Sequence, residues 1–125
     1  MKIKKALIVE DNPINMELVM EILTANGIIA DQAANGEEAI EKAEKEAYDL
    51  VLMDIELPGM DGIDATKIIK SRHKNLPVLA LTSYAMKGDR ERFLAAGFDN
   101  YISKPIDVNC FFENISKFMQ INNSE

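Results

Sequence analysis

Apolar residues along this chain gather in short runs separated by longer stretches of mixed polarity. Ala6-Leu7-Ile8-Val9, Leu50-Val51-Leu52-Met53 and Val78-Leu79-Ala80-Leu81 are continuous. A strand with water on one face alternates, whereas a strand covered on both faces does not. These three therefore read as interior strands of a parallel sheet. Ile28-Ile29-Ala30 is a weaker run and Asn100-Tyr101-Ile102-Ser103 a short mixed one, and both read as further strands. The segments between them have helical period. In the last, Val108, Phe111, Phe112, Ile115, Phe118 and Met119 fall at i, i+3, i+4, i+7, i+10 and i+11, one stripe of a helix.

Punctuation supports the same division. Asn12 suits a helix N-cap and Pro13 the first helical position. Asn26-Gly27 suits the end of that helix, where a glycine takes the left-handed conformation. Asn35-Gly36 precedes a helix over about 37–46, and Asp61-Gly62 one running to about Arg72. Gly97 closes another that starts near Ala85. Strand followed by helix, five times, predicts an α/β fold with a parallel sheet and helices on both faces. A single domain over residues 1–125 is expected, its core at about 4–120, with a short polar tail at 122–125 that frays.

Composition narrows the class. The 125 residues are 47% hydrophobic and 28% charged, ordinary for a globular domain and wrong for a disordered or collagen-like chain. No run approaches the ~20 apolar residues of a membrane span, so no membrane insertion is expected. The N-terminal stretch is too short for a secretory signal. One cysteine, Cys110, allows no internal disulfide, which favours a cytoplasmic setting. Twenty-one acidic against 14 basic residues give a net charge of −7, which argues against direct binding of nucleic acid.

In open α/β sheets ligands bind beyond the carboxyl ends of the strands. The first strand ends in Glu10-Asp11, the third in Asp54 with Glu56 two residues on, the fourth in Thr82-Ser83, the fifth in Ser103-Lys104-Pro105. The second ends in Ala33-Ala34 and offers no chemistry. Taken singly, each is ordinary: an acid can be a loop group or a cap, Thr82 a turn hydroxyl, Lys104 a surface lysine. Jointly they are specific. Carboxylates from two neighbouring strands would repel one another without a cation. Mg2+ takes oxygen ligands and pairs with phosphates. The absence of His and Cys at these positions disfavours zinc or copper. Carboxylates, a hydroxyl and a lysine around Mg2+ suit phosphoryl transfer, in which a carboxylate can serve as the nucleophile.

These residues resemble the signature of receiver domains of two-component signalling. The similarity is carried by Leu7-Ile8-Val9-Glu10-Asp11-Asn12, by the stretch from Leu52 to Gly62, by Ala80-Leu81-Thr82-Ser83-Tyr84-Ala85, and by Tyr101-Ile102-Ser103-Lys104-Pro105. The wording at 10–15 and 84–89 is closest to receivers of hybrid histidine kinases and to stand-alone receivers of the cell-division type. The resemblance implies a flavodoxin-like doubly wound (βα)5 sandwich of strand order 2-1-3-4-5. It implies that Asp54 accepts the phosphoryl group. Asp11 would ligate Mg2+ directly, Glu10 through water, and Glu56 through its backbone carbonyl, with Mn2+ as an alternative ion. Lys104 would pair with one phosphate oxygen and Thr82 hydrogen-bond another. Tyr101 would be the switch aromatic, and the Lys104-Pro105 bond would be cis. Glu56 and the bulky Tyr84 are positions where the family varies, and both bear on the lifetime of the aspartyl-phosphate.

Two surfaces follow from that resemblance. Asn12, Pro13, Ile14, Met16, Leu57, Pro58, Pro105 and Ile106 would ring the pocket and dock a histidine kinase or histidine phosphotransfer protein. The helix near 85–96, the fifth strand and the last helix would form the face that switches and meets a downstream protein, since no output domain is expected here. His73 reads as a surface residue without metal companions, Cys110 as a filler or half-exposed thiol, and the seven methionines as packing. Two other classes are weaker. A phosphatase of the haloacid-dehalogenase type puts its nucleophile on the first strand with a second Asp two residues on, unlike Asp54 and Glu56. A flavodoxin-like flavin carrier needs a phosphate-cradling loop, which Glu10-Asp11-Asn12-Pro13 cannot provide. The expected role is a signalling phosphoacceptor rather than an enzyme with turnover.

Overall fold

The computed structural model describes residues 4–83 and 89–119. Five strands, β1 (Lys5–Val9), β2 (Ile29–Ala33), β3 (Leu50–Asp54), β4 (Val78–Thr82) and β5 (Asn100–Ser103), form one parallel sheet. The order is β2-β1-β3-β4-β5. Five helices connect and follow them: α1 (Pro13–Ala25), α2 (Gly36–Lys45), α3 (Gly62–Arg72), α4 (Asp89–Ala96) and α5 (Val108–Ser116). The doubly wound fold and its strand order are therefore as the sequence and its resemblance imply. The expected start of α4 near Ala85 and the polar tail lie outside the described residues.

The continuous apolar runs have the expected cause. Strands β3 and β4 are buried at every position. Alternate residues of each strand enter opposite layers. Ile8, Leu52, Leu79 and Leu81 pack with Met16, Val19 and Leu23 of α1 and with Phe111 and Ile115 of α5. Leu7, Val9, Val51, Met53, Val78 and Ala80 pack with Ala39, Ala65, Ile69 and Phe93 of α2, α3 and α4. β2 differs because it lies at the sheet edge. It reads Ile-Ala-Asp-Gln-Ala, and only Ala33 is buried. Ile28, expected to start this strand, is instead a core residue one position before it.

Caps fix where the helices begin, and so where the loops at the strand ends turn. Asn12 accepts hydrogen bonds from the backbone N–H of Ile14 (2.9 Å) and Asn15 (3.1 Å). Asn35 accepts one from Glu38 and Asp61 one from Asp64. Gly27 ends the first helix at φ +78°, the left-handed region expected of it. The last helix departs from its stripe at both ends. Val108, in its first turn, is exposed, and Lys117–Met119 form a turn that still brings Met119 into the core. No helix among the described residues is long and apolar enough to cross a membrane.

Candidate functional site

Parallel register brings the carboxyl ends of β1, β3, β4 and β5 side by side. Val9 pairs with Met53, Asp54 with Leu81, and Thr82 with Ser103. The residues just named from the sequence therefore converge. Asp54 ends β3 and is 2% exposed, and Glu10, one residue beyond β1, is 3% exposed. Asp11 projects into solvent beside them. One carboxylate oxygen from each of Glu10, Asp11 and Asp54 lies within 4.8 Å of the others.

One cation answers two of these acids. The Lys104 Nζ stands 2.9 Å from Glu10 Oε2 and 3.0 Å from Asp54 Oδ2. It is delivered there by the β5 end, where the Lys104 N–H donates to the Thr82 carbonyl and the Lys104-Pro105 peptide is cis, as the resemblance implies. Burial pushes the Lys104 ammonium down, but its bonds to Glu10 and Asp54 outweigh that and leave it above its usual value. For Glu10, burial and then the neighbouring Asp54 carboxylate raise the acid to about 7, against the opposing pull of Lys104. Glu10 and Asp54 thus share the Lys104 ammonium with Asp11 close by, and burial beside Asp54 opposes ionisation of Glu10. Such a donor set, all oxygen and short of positive charge, fits a hard divalent cation.

The loop after β3 closes the site from below. The Glu56 N–H donates to Asp54 Oδ1 at 3.0 Å, holding that carboxylate from the backbone. Gly62 begins α3 so close to β3 that a Cβ there would stand 2.1 Å from the Asp54 carbonyl oxygen. This close approach is not legible in the sequence, where Asp61-Gly62 reads as a helix start and as the end of the Leu52–Gly62 stretch that carries the resemblance. A second contact was also not foreseen: the Thr82 hydroxyl, 1% exposed at the end of β4, donates to Glu56 Oε2 at 3.3 Å.

Tyr101 lies half-buried on β5 with its ring tilted against Phe93 of α4, centroids 5.9 Å apart. The pocket rim divides. Asn12, Pro13, Ile14, Pro58 and Pro105 are exposed, Ile14 by 78%, and Ile106 is half-buried. Met16 and Leu57, expected on the same rim, are largely buried. Each is 8% exposed and packs in the core, because α1 and the β3 loop turn those side chains toward the sheet. His73, at the end of α3, faces Glu44 of α2 rather than a metal site, and Cys110 is exposed. Tyr84 and residues 86–88 of the charged stretch at 86–92 lie outside the described residues.

Comparison with known proteins agrees with this geometry. Residues 6–116 match the family model of the response regulator receiver domain. The polar-differentiation response regulators DivK of Brucella anthropi and Brucella ovis are each 42% identical over 118 residues, covering 93% of this chain and 96% of theirs. The receiver domain of a sensor histidine kinase of Pseudomonas aeruginosa, solved with a magnesium ion coordinated in its active site cleft, is 34% identical. It superposes with a TM-score of 0.87 over 96% of this chain and 100% of that one. A putative response regulator from Chloroflexus aurantiacus is 28% identical with a TM-score of 0.90, over 96% and 100% of the two chains. With its fold, its converging acidic residues and a match over nearly its whole length, this chain belongs to the response regulator receiver domain family.

Proposed function

We propose that the chain is one receiver unit that takes a phosphoryl group from a partner's phosphohistidine onto Asp54. The observation that carries this reading is the Asp54 carboxylate at the end of β3. Its Oδ1 is held by the Glu56 N–H, its Oδ2 by Lys104, and two further acids stand beside it. Glu10, Asp11, Asp54 and the Glu56 backbone carbonyl would hold Mg2+, or Mn2+ in its place. When bound, the ion neutralises charge on the phosphoryl oxygens.

The chain's own residues supply attack and placement. An Asp54 carboxylate oxygen bonds to phosphorus as the P–N bond of the donor breaks, and that electron pair returns to the imidazole. Lys104, already 3.0 Å from the Asp54 carboxylate, is placed to pair with an oxygen of the transferred group. The product carries about −1.5 to −2 at neutral pH. Thr82 donates to another oxygen, and its shift toward the site frees space for Tyr101 to turn inward. The change is read on the face formed by α4, β5 and α5 by a downstream protein. The histidine kinase or histidine phosphotransfer partner docks on the exposed rim of Asn12, Pro13, Ile14 and Pro58, beside Pro105 and Ile106.

Incubation with acetyl phosphate and Mg2+ should add a single phosphoryl mass to the intact protein. Asp54→Asn and chelation should each abolish it. An adduct that survives both overturns the reading. Thr82→Ala should still gain the adduct, more slowly, while the Tyr101 ring resonances stay where they were.

A further inference from the structure

Thr82 has one proton to donate, and an acceptor already stands next to it. The hydroxyl lies 3.3 Å from Glu56 Oε2, and Glu56 itself is anchored by its N–H to the Asp54 carboxylate. The same hydroxyl is the one that the phosphoryl group on Asp54 would recruit. A hydroxyl gives its hydrogen to one strong acceptor at a time. We propose that the Glu56 side chain gates the switch: it holds the Thr82 hydroxyl in the unphosphorylated protein, and the phosphoryl group must take that hydrogen bond away from it.

The gate rests on the phosphoacceptor reading above and adds a role for a side chain which that reading leaves idle. Glu56 is a positioning residue here, acting through Thr82. Its placement suits the exchange. Thr82 is buried and keeps a short reach, whereas Glu56 is exposed, so its carboxylate returns to water when the hydroxyl leaves. The unphosphorylated side of the equilibrium thus carries a contact that the phosphorylated side lacks. An interaction present in only one state shifts the balance between states by its own strength. By linkage, the same contact weakens the affinity of the site for a phosphoryl group or its mimic.

Glu56 also places negative charge near the phosphoryl group, and simple repulsion would weaken binding too. A double-mutant cycle separates the two effects. Beryllium fluoride with Mg2+ is the probe, and its dissociation constant is measured for the parent, Glu56→Ala, Thr82→Ala and the double variant. Urea unfolding checks that all four are folded, which the exposure of Glu56 favours. If Glu56 acts through Thr82, Glu56→Ala should tighten binding about fivefold to tenfold in the parent, the scale of one hydrogen bond's net contribution in water. It should tighten binding less than about twofold when Thr82 is already Ala. The Tyr101 ring resonances of unliganded Glu56→Ala should also move part of the way toward their liganded positions, and those of the double variant should not. Equal tightening in both backgrounds overturns the gate and leaves repulsion as the cause. A parent protein that binds no beryllium fluoride overturns the phosphoacceptor reading first, and the gate with it.

Discussion

Gly62 shows how little room there is around Asp54. A methyl group at this position would overlap the Asp54 carbonyl oxygen at 2.1 Å, and backbone, unlike a side-chain tip, cannot step aside cheaply. Gly62→Ala should therefore cost about 1–3 kcal/mol in urea unfolding, the usual range for forcing extra volume into packed structure. It should also slow acetyl-phosphate labelling of Asp54, because the shift displaces the acceptor itself. Gly59 provides the contrast. Its φ of +75° disfavours a side chain, yet nothing stands within 4 Å of where a Cβ would go. Gly59→Ala should cost about 1–2 kcal/mol from backbone conformation alone. Equal labelling defects in the two variants would contradict the close approach as the cause. At this scale the sequence displayed the chemistry-bearing side chains, because Glu10, Asp11, Asp54 and Thr82 fall at the ends of apolar runs and Lys104 at the end of the short mixed one. It did not display how closely Gly62 approaches Asp54, or the bond between Glu56 and Thr82. Those depend on how closely α3 approaches β3 and on a side-chain direction, neither of which leaves a periodic trace.

The elements were legible where burial is uniform. β3 and β4 are covered on both faces, so their residues are apolar without interruption and their limits stand out. β2 was weak in the sequence because an edge strand needs few buried positions. On the rim of the pocket, the burial of Met16 and Leu57 was not legible for a related reason: sequence nearness to Asn12 or Pro58 does not say which side of a helix or loop faces the sheet. That distinction separates two experiments on α1. Ile14 is 78% exposed and Met16 is 8% exposed, two residues apart on the same helix. Ile14→Ala should leave unfolding within about 0.5 kcal/mol of the parent, as surface changes do. It should also leave acetyl-phosphate labelling unchanged while slowing transfer from a phosphorylated histidine partner. Met16→Ala should instead lower stability by about 2–5 kcal/mol, the cost of truncating a buried methionine. A partner-transfer rate indifferent to Ile14 would remove this residue from the docking surface.

At the scale of the whole molecule, the net charge of −7 belongs partly to the acidic cluster at the strand ends. Glu10, Asp11 and Asp54 are gathered by the sheet, and the described structure gives them Lys104 as the neighbouring cation. The consequence is a stability that depends on pH in an unusual direction. A salt-bridged surface acid has its pKa lowered by folding and stabilises the protein as pH rises. Glu10 is the reverse case: folding raises it from the ordinary 4.5 to about 7, chiefly through burial. Between those values the folded protein keeps a proton that the unfolded chain releases, so stability falls as pH rises through this window. Each pKa unit corresponds to about 1.4 kcal/mol, which makes the loss a few kcal/mol by pH 8. A divalent cation held by the same carboxylates should offset that loss, since binding to the folded state alone stabilises it. Metal-free protein should therefore melt at a lower temperature at pH 8 than at pH 5.5, and Mg2+ should restore most of the difference at pH 8. Glu10→Gln, which carries the neutral form permanently, should show a markedly flatter profile over the same range. Thermal melts of both proteins at the two pH values, with and without Mg2+, check this directly. A profile for Glu10→Gln as steep as that of the parent would assign the pH dependence to the remaining acidic surface instead.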